Sequence, residues 1–184
     1  MGGIILDYQI AILGGGPGGY VAAIKAAQMG AKTVLIEGGE LGGVCLNEGC
    51  IPTKTLLKSA RVYQDIIDSA KYGIVLGNQS EISIDWGAML KRKDGVVAQL
   101  TSGVKGLLRK NGVEVVNGYG EVQDPHTILV DGRTISTDHL IIATGSRANI
   151  LPIPGLEKSL ADGYAVTSTG ALNFPAIPEE LIVV

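Results

Sequence analysis

The chain has 184 residues, 46% of them apolar, with 15 Lys+Arg against 18 Asp+Glu and a formal net charge of −3. That length suits about one domain or slightly more, and the composition excludes wholesale disorder. No apolar run reaches the roughly 18 residues of a membrane helix, and a mildly acidic balance without Lys/Arg blocks argues against nucleic acid as a partner.

In chain order, the opening MGGIILDY lacks a basic region and meets Asp7 at once, so it reads as neither signal nor transit peptide. Gly2 suits N-myristoylation, but Leu6 stands where that motif needs Ser or Thr. A soluble, cytoplasmic protein is the expectation. Residues 8–13 form a short apolar strand that stops at Gly14-Gly15-Gly16-Pro17-Gly18-Gly19. Residues 20–29, YVAAIKAAQM, are alanine-rich and predict a helix ended by Gly30. Residues 33–36 are a second, β-branched strand with Glu37 at its end, which completes a βαβ unit. Apolar residues at helical spacing, from Leu56 and Leu57 to Ile66, Ile67 and Ala70, predict a helix over 53–71. A second long helix is expected over 86–110, closed by Asn111-Gly112. Strands are expected at 113–116, 128–130 and 139–143, with Asp131-Gly132 as a hairpin turn. The final Leu181-Ile182-Val183-Val184 reads as a buried parallel strand. A domain seldom stops inside its most apolar strand, so the expectation is the first part of a longer protein. The fold class that results is α/β, with a parallel sheet and a small antiparallel insert.

Glycine is the unusual component: 27 residues, 11 of them between Gly14 and Gly49. Gly14, Gly16 and Gly19 make a GxGxxG between a strand and a helix. The first glycine permits a tight turn, the second lets backbone approach a pyrophosphate, and the third lets the helix pack on the strand. Glu37 follows Gly19 at close to the spacing of a carboxylate that accepts ribose hydroxyls, and it would repel the 2′-phosphate of NADP. A plain glycine-rich turn is the competing reading, and the fingerprint does not separate FAD from NAD.

Cys45 and Cys50 are the only cysteines, within GGVCLNEGCIPTK. Zinc would need more ligands, and His126 and His139 lie far off at no ligand spacing, so no metal site is expected. Two inert thiols or a structural disulfide are alternatives, and a redox-active pair suits the segment better. In a regular helix, residues five apart have Cα atoms about 8.6 Å apart, beyond disulfide reach of about 7 Å. A bond between them therefore requires a distorted helix, for which Gly49 and Pro52 provide.

GGGPGGYVAAIKAAQMGAKTVLIE followed by GGVCLNEGCIPTK resembles the flavoprotein disulfide reductases, the class I pyridine nucleotide-disulfide oxidoreductases. The Leu46-Asn47 and Ile51-Pro52-Thr53-Lys54 forms favour the dihydrolipoamide dehydrogenase branch over glutathione and mercuric reductases. The resemblance extends over essentially the whole chain, through WGAMLKRKDGVVAQLTSGV, VNGYG and IIATGS. It implies a Rossmann-like FAD/NAD(P)-binding domain, truncated here, in which Gly14, Gly15, Gly16, Pro17, Gly18 and Gly19 hold the FAD pyrophosphate and Glu37 the adenosine ribose. It implies that Cys45, in the run Gly43-Val44-Cys45, exchanges with dihydrolipoamide, and that Cys50 lies against the flavin, near Lys54 as a point charge. Gly120 matches a position near the adenine, and Thr144-Gly145-Ser146 a strand end beside the cofactor. The ordinary alternatives are a solvated helix lysine at 54 and a plain strand-to-loop turn at 144–146.

The implied reaction takes dihydrolipoamide and NAD⁺ to lipoamide and NADH, by way of a Cys45–Cys50 redox disulfide and FAD. The implied partners are dihydrolipoamide or a lipoyl domain, a second copy in a homodimer, and a 2-oxoacid dehydrogenase or glycine cleavage complex. The resemblance divides the chain at about 150, with residues 1–150 belonging to the FAD-binding domain and 151–184 leading to an NAD-binding domain. The family's NAD site and catalytic histidine match nothing in these residues, so the polypeptide alone is expected to lack turnover and to bind FAD weakly. A short nucleotide-binding module is the competing reading.

Overall fold

A computed structural model describes residues 7–78 and 81–184. The reading of Gly2 and Leu6 therefore lies outside the described residues. The chain forms two compact units, each discontinuous in sequence: Met1–Asn47 with Gln99–Arg147, and Glu48–Ala98 with Ala148–Val184.

The first unit is built on a six-stranded sheet. Strand β1 (Tyr8–Leu13) leads through helix α1 (Pro17–Gln28) to β2 (Thr33–Glu37), which is the expected βαβ unit. Pro17 opens α1, where a missing N–H costs nothing. Gly30, at φ +91°, closes it. Strands β3 (Glu114–Asn117), β4 (Gly120–Asp124), β5 (Thr127–Val130) and β6 (Arg133–Ile142) follow, and the order across the sheet is β3-β2-β1-β6-β5-β4. The β3, β2, β1 and β6 strands run parallel, whereas β4, β5 and β6 pair antiparallel, so the mixed α/β fold with an antiparallel insert is as expected. Asp131 and Gly132, both at positive φ, make the β5–β6 turn. One hydrophobic cluster buries Tyr8, Ala11, Val34, Ile36, Ile128, Val130 and Ile135 together.

Three strands depart from expectation, and the first is β6, which begins at Arg133, six residues before the expected 139. β4 has no counterpart in the sequence reading: four of its five residues, GEVQD, are exposed and carry no apolar alternation. An edge strand needs only one neighbour for its hydrogen bonds, and β5 supplies it. The run LIVV is not a strand. Leu181 to Val184 are 60–101% exposed in irregular backbone. Apolar content alone does not make a strand; it requires a paired neighbour, and among the described residues none pairs with this run.

The second unit holds α3 (Cys50–Ile67), followed by a 3₁₀ turn (Ser69–Tyr72) that completes the helical pattern expected to 71. Helix α4 (Trp86–Lys110) has the expected bounds. Two short helices, α5 (Leu156–Ala161) and α6 (Ser168–Ala171), were not foreseen. The N-terminal half of α4 belongs to this unit. Trp86 Nε1 donates to the Phe174 carbonyl at 2.9 Å, and Lys93 Nζ donates to Leu172 O and Asn173 Oδ1 at 3.1 and 2.5 Å. No helix among the described residues is long and apolar enough to cross a membrane.

Candidate functional site

The registers of the parallel strands decide where chemistry gathers. Leu13 on β1 stands beside Ile36 on β2 and Ile142 on β6. Glu37, at the end of β2, stands beside Asn117 on β3. The next residues along these strands are Gly14, Gly118-Tyr119-Gly120 and Ala143-Thr144-Gly145. So four adjacent carboxyl ends bring together most residues singled out from the sequence. β1 is also where the strand order reverses, with β2 on one side and β6 on the other. Open α/β sheets bind ligands at such a point.

The glycine loop is held from several sides. Gly14 lies at φ +108°, and a Cβ there would come 2.2 Å from the Ala143 carbonyl oxygen. A Cβ on Gly19 would come 1.7 Å from the Gly14 carbonyl oxygen, which is the close strand–helix packing the third glycine was expected to serve. Gly16 differs. A Cβ there would meet nothing nearer than Gly43 Cα at 3.7 Å, so its backbone faces open space. No side chain caps the N-terminus of α1, whose first N–H groups have no intrahelical acceptor. Open N–H groups at a twelve-residue helix start, with a glycine that leaves room above them, fit a pyrophosphate.

Glu37 is already engaged by backbone. Its Oε2 accepts from Gly15 N–H at 2.5 Å and its Oε1 from Gly39 N–H at 2.7 Å. Each carboxylate oxygen has a second lone pair to offer a hydroxyl. Gly120 has a packing reason of its own, since a Cβ would press within 2.6 Å of Leu13 Cδ1 and 3.1 Å of Ile128 Cγ2. Thr144, Gly145 and Ser146 are exposed in the turn after β6, with Gly145 at φ +73°.

The cysteines lie on different elements. Cys45, half-buried, is the middle residue of the five-residue helix α2 (Gly43–Asn47), where Val44 is exposed. Cys50 is exposed and begins α3. Between them the helix is interrupted at Glu48 and Gly49. Pro52 fits within the first turn of α3, where no intrahelical N–H is needed. Cys50 and Lys54 stand four apart on α3, both exposed, and so share one face. His126 Nδ1 lies 2.9 Å from the Thr137 carbonyl oxygen, and the His139 carbonyl accepts from Thr137 Oγ1. His126 thus sits in the β4–β5 turn of the antiparallel part, and His139 on β6 opposite Ile10 of the parallel strand β1.

Residues 8–184 match the family model described as pyridine nucleotide-disulphide oxidoreductase. The chain belongs to this family. It is 49% identical over 178 residues to a dihydrolipoyl dehydrogenase of Acholeplasma laidlawii, across 97% of this chain and 52% of that protein. It is 42% identical to one of Mycoplasma genitalium, across 97% and 39%, and 46% identical to a mitochondrial one of Pisum sativum, across 97% and 36%. The chain thus spans about half or less of the length of these relatives.

Sequence reasoning missed Leu41, Gly42 and Asn47. A Cβ on Gly15 would come 2.6 Å from Leu41 Cδ2, and Gly42 N–H donates to the Gly15 carbonyl at 2.9 Å. The turn before Cys45 is therefore docked on the glycine loop. Asn47 had been noted only as a marker of one branch of the family, and nothing local announces its contacts.

Proposed function

We propose that the chain is the N-terminal, FAD-binding and disulfide-carrying portion of a dihydrolipoyl dehydrogenase. The observation that carries the reading is the convergence of four strand ends on an uncapped helix N-terminus, with Glu37 and an open Gly16 beside it. In this reading Gly14 to Gly19 cradle the pyrophosphate, Glu37 accepts the ribose hydroxyls, and Gly120 and Thr144 to Ser146 border the cofactor. The family resemblance gives Cys50, and Lys54 as a point charge, their roles at the flavin.

The cysteines carry the exchange. A thiolate of dihydrolipoamide attacks Cys45 Sγ, forming a mixed disulfide while the Cys45–Cys50 bond breaks and Cys50 leaves as thiolate. The second substrate thiolate then attacks the substrate sulfur of that mixed disulfide, closing the lipoamide ring and releasing Cys45. The substrate has lost two electrons and two protons, and the pair has become a dithiol. FAD, when bound, supplies the two-electron acceptor that restores the disulfide and the hydride donor to NAD⁺. Residues 151–184 would lead toward the domain that binds NAD, and the whole enzyme would work as a homodimer serving a 2-oxoacid dehydrogenase or glycine cleavage complex from the cytoplasm.

The test is a flavin titration of the 184-residue chain. Saturable quenching of FAD fluorescence is expected, with less than one flavin per chain retained on gel filtration and no NADH formed from dihydrolipoamide. Unchanged flavin fluorescence at about 100 μM protein, a concentration that detects even weak binding, overturns the cofactor assignment. Lipoamide compared with glutathione and mercuric ion on the full-length enzyme separates this reading from the sister reductases.

A further inference from the structure

The turn that carries Cys45 is too short to hold itself. Helix α2 has five residues, and the bonds that join its start to the preceding loop are long: Leu46 N–H reaches the Gly42 carbonyl at 3.5 Å and Gly43 N–H the Glu40 carbonyl at 3.4 Å. Gly42, just before it, and Gly43, its first residue, sit at φ +105° and +59°. These left-handed residues bend residues 40–43 so that several carbonyls turn to one side.

A single side chain gathers them. Asn47 Nδ2 donates to Gly43 O at 3.0 Å and Leu41 O at 3.1 Å, with Glu40 O at 3.4 Å. An amide has two N–H groups, so the two short contacts are the full bonds and Glu40 is the weaker third. On the other side, Asn47 Oδ1 accepts from Thr101 Oγ1 at 3.4 Å, and Thr101 is buried on α4. The last residue of α2 is thereby tied to the loop in front of its first residue, with Cys45 between the two ties. The same loop is bonded onward, through Gly42 N–H to Gly15 O and through Gly15 N–H to Glu37.

We infer that Asn47 is a positioning residue for the redox site: it fastens the Cys45 turn and docks that turn on the phosphate-cradling loop. Only an amide meets both demands, two donors toward carbonyls and an acceptor toward Thr101. Aspartate would set oxygen against carbonyl oxygen, and leucine would leave the carbonyls without a donor. The role of the turn rests on the function proposed above, but the fastening itself concerns this chain's own residues.

The experiment reads Cys45 directly. Asn47→Ala and Asn47→Leu are made in a Cys50→Ser background and alkylated with iodoacetamide, with Cys45→Ser chains reporting Cys50 in parallel. Both Asn47 variants should speed Cys45 alkylation by at least about fivefold through local opening of α2, while Cys50 changes less than about twofold. In chains with both cysteines, FAD should bind about tenfold more weakly, which matches the loss of one or two net hydrogen bonds. Thr101→Val, isosteric at a buried site, should move both readouts the same way by less, and it decides the matter if the Asn47 variants do not fold. Wild-type behaviour of Asn47→Leu, or equal acceleration of both cysteines, overturns the inference, because the first means packing and the second means general loosening. Failure of the unsubstituted chain to bind FAD counts against the proposed function only, since the alkylation arm needs no flavin.

Discussion

Two alanine substitutions in one loop should fail in opposite ways. At Gly19 the new Cβ would stand 1.7 Å from the Gly14 carbonyl oxygen and 2.9 Å from its carbon. The obstacle is backbone, so α1 must move away from β1 by more than an ångström. Overpacking costs about 1–3 kcal/mol, and a backbone obstacle places Gly19→Ala near about 3 kcal/mol. For a chain of this size that corresponds to about 6–12 °C in melting temperature. At Gly16 the backbone is extended (φ −74°, ψ −175°), and the nearest atom to a Cβ is 3.7 Å away. Alanine is a poorer N-cap than glycine, so Gly16→Ala should cost up to about 1 kcal/mol, or about 4 °C at most. Yet its methyl fills the space above the α1 N–H groups and should weaken FAD binding by at least about a hundredfold, as a displaced pyrophosphate must. Thermal melts of both variants, with FAD fluorescence titrations, check this. A Gly16→Ala chain that binds FAD like the unsubstituted one would refute the placement of the phosphates. A Gly19→Ala chain that melts unchanged would refute the packing argument.

Two further outcomes follow from groups outside the loop. Tyr8 Oη donates to Glu114 Oε2 at 2.6 Å, and Arg133 donates to Glu114 Oε1 at 3.1 Å, an arrangement that ties β1, β3 and β6. The tyrosine hydrogen bond, and then Arg133, hold the Glu114 carboxyl below its ordinary value of 4.5. A depressed carboxyl contributes stability above about pH 4.5 and loses it as pH falls through the folded value, so Tyr8→Phe should flatten the acid loss of stability. Glu114 is about half exposed, which keeps the effect modest; urea melts at pH 7 and pH 3.5 that keep their full difference in Tyr8→Phe would contradict it. In the second unit Lys93 is 4% exposed and donates to Leu172 O and Asn173 Oδ1. Lys93→Ala removes both charge-assisted hydrogen bonds at a cost of about 1–3 kcal/mol, so hydrogen exchange at residues 172–174 should accelerate; unchanged exchange there would remove Lys93 as their anchor.

What could be read without coordinates was local and periodic. The β1–α1–β2 unit and α4 are written in runs whose pattern repeats every two or 3.6 residues, bounded by glycines that mark where the chain turns. The GxGxxG, Glu37 and the two cysteines were legible for the same reason, because their spacing along the chain is itself the signal. β4 was not legible, since an exposed edge strand carries no apolar alternation. LIVV misled in the other direction, because apolar content reports a wish for burial and not the neighbour that would satisfy it.

The amino-acid order by itself determined the family, the parallel core and the residue types of the site. Tertiary structure decided which of them meet. Glu37 reaches back across 22 residues to Gly15, Asn47 binds Thr101 across 54, and Glu114 bonds Tyr8 across 106. Such contacts depend on strand order and register, which are set by the joint packing of distant segments, so no window of sequence contains them.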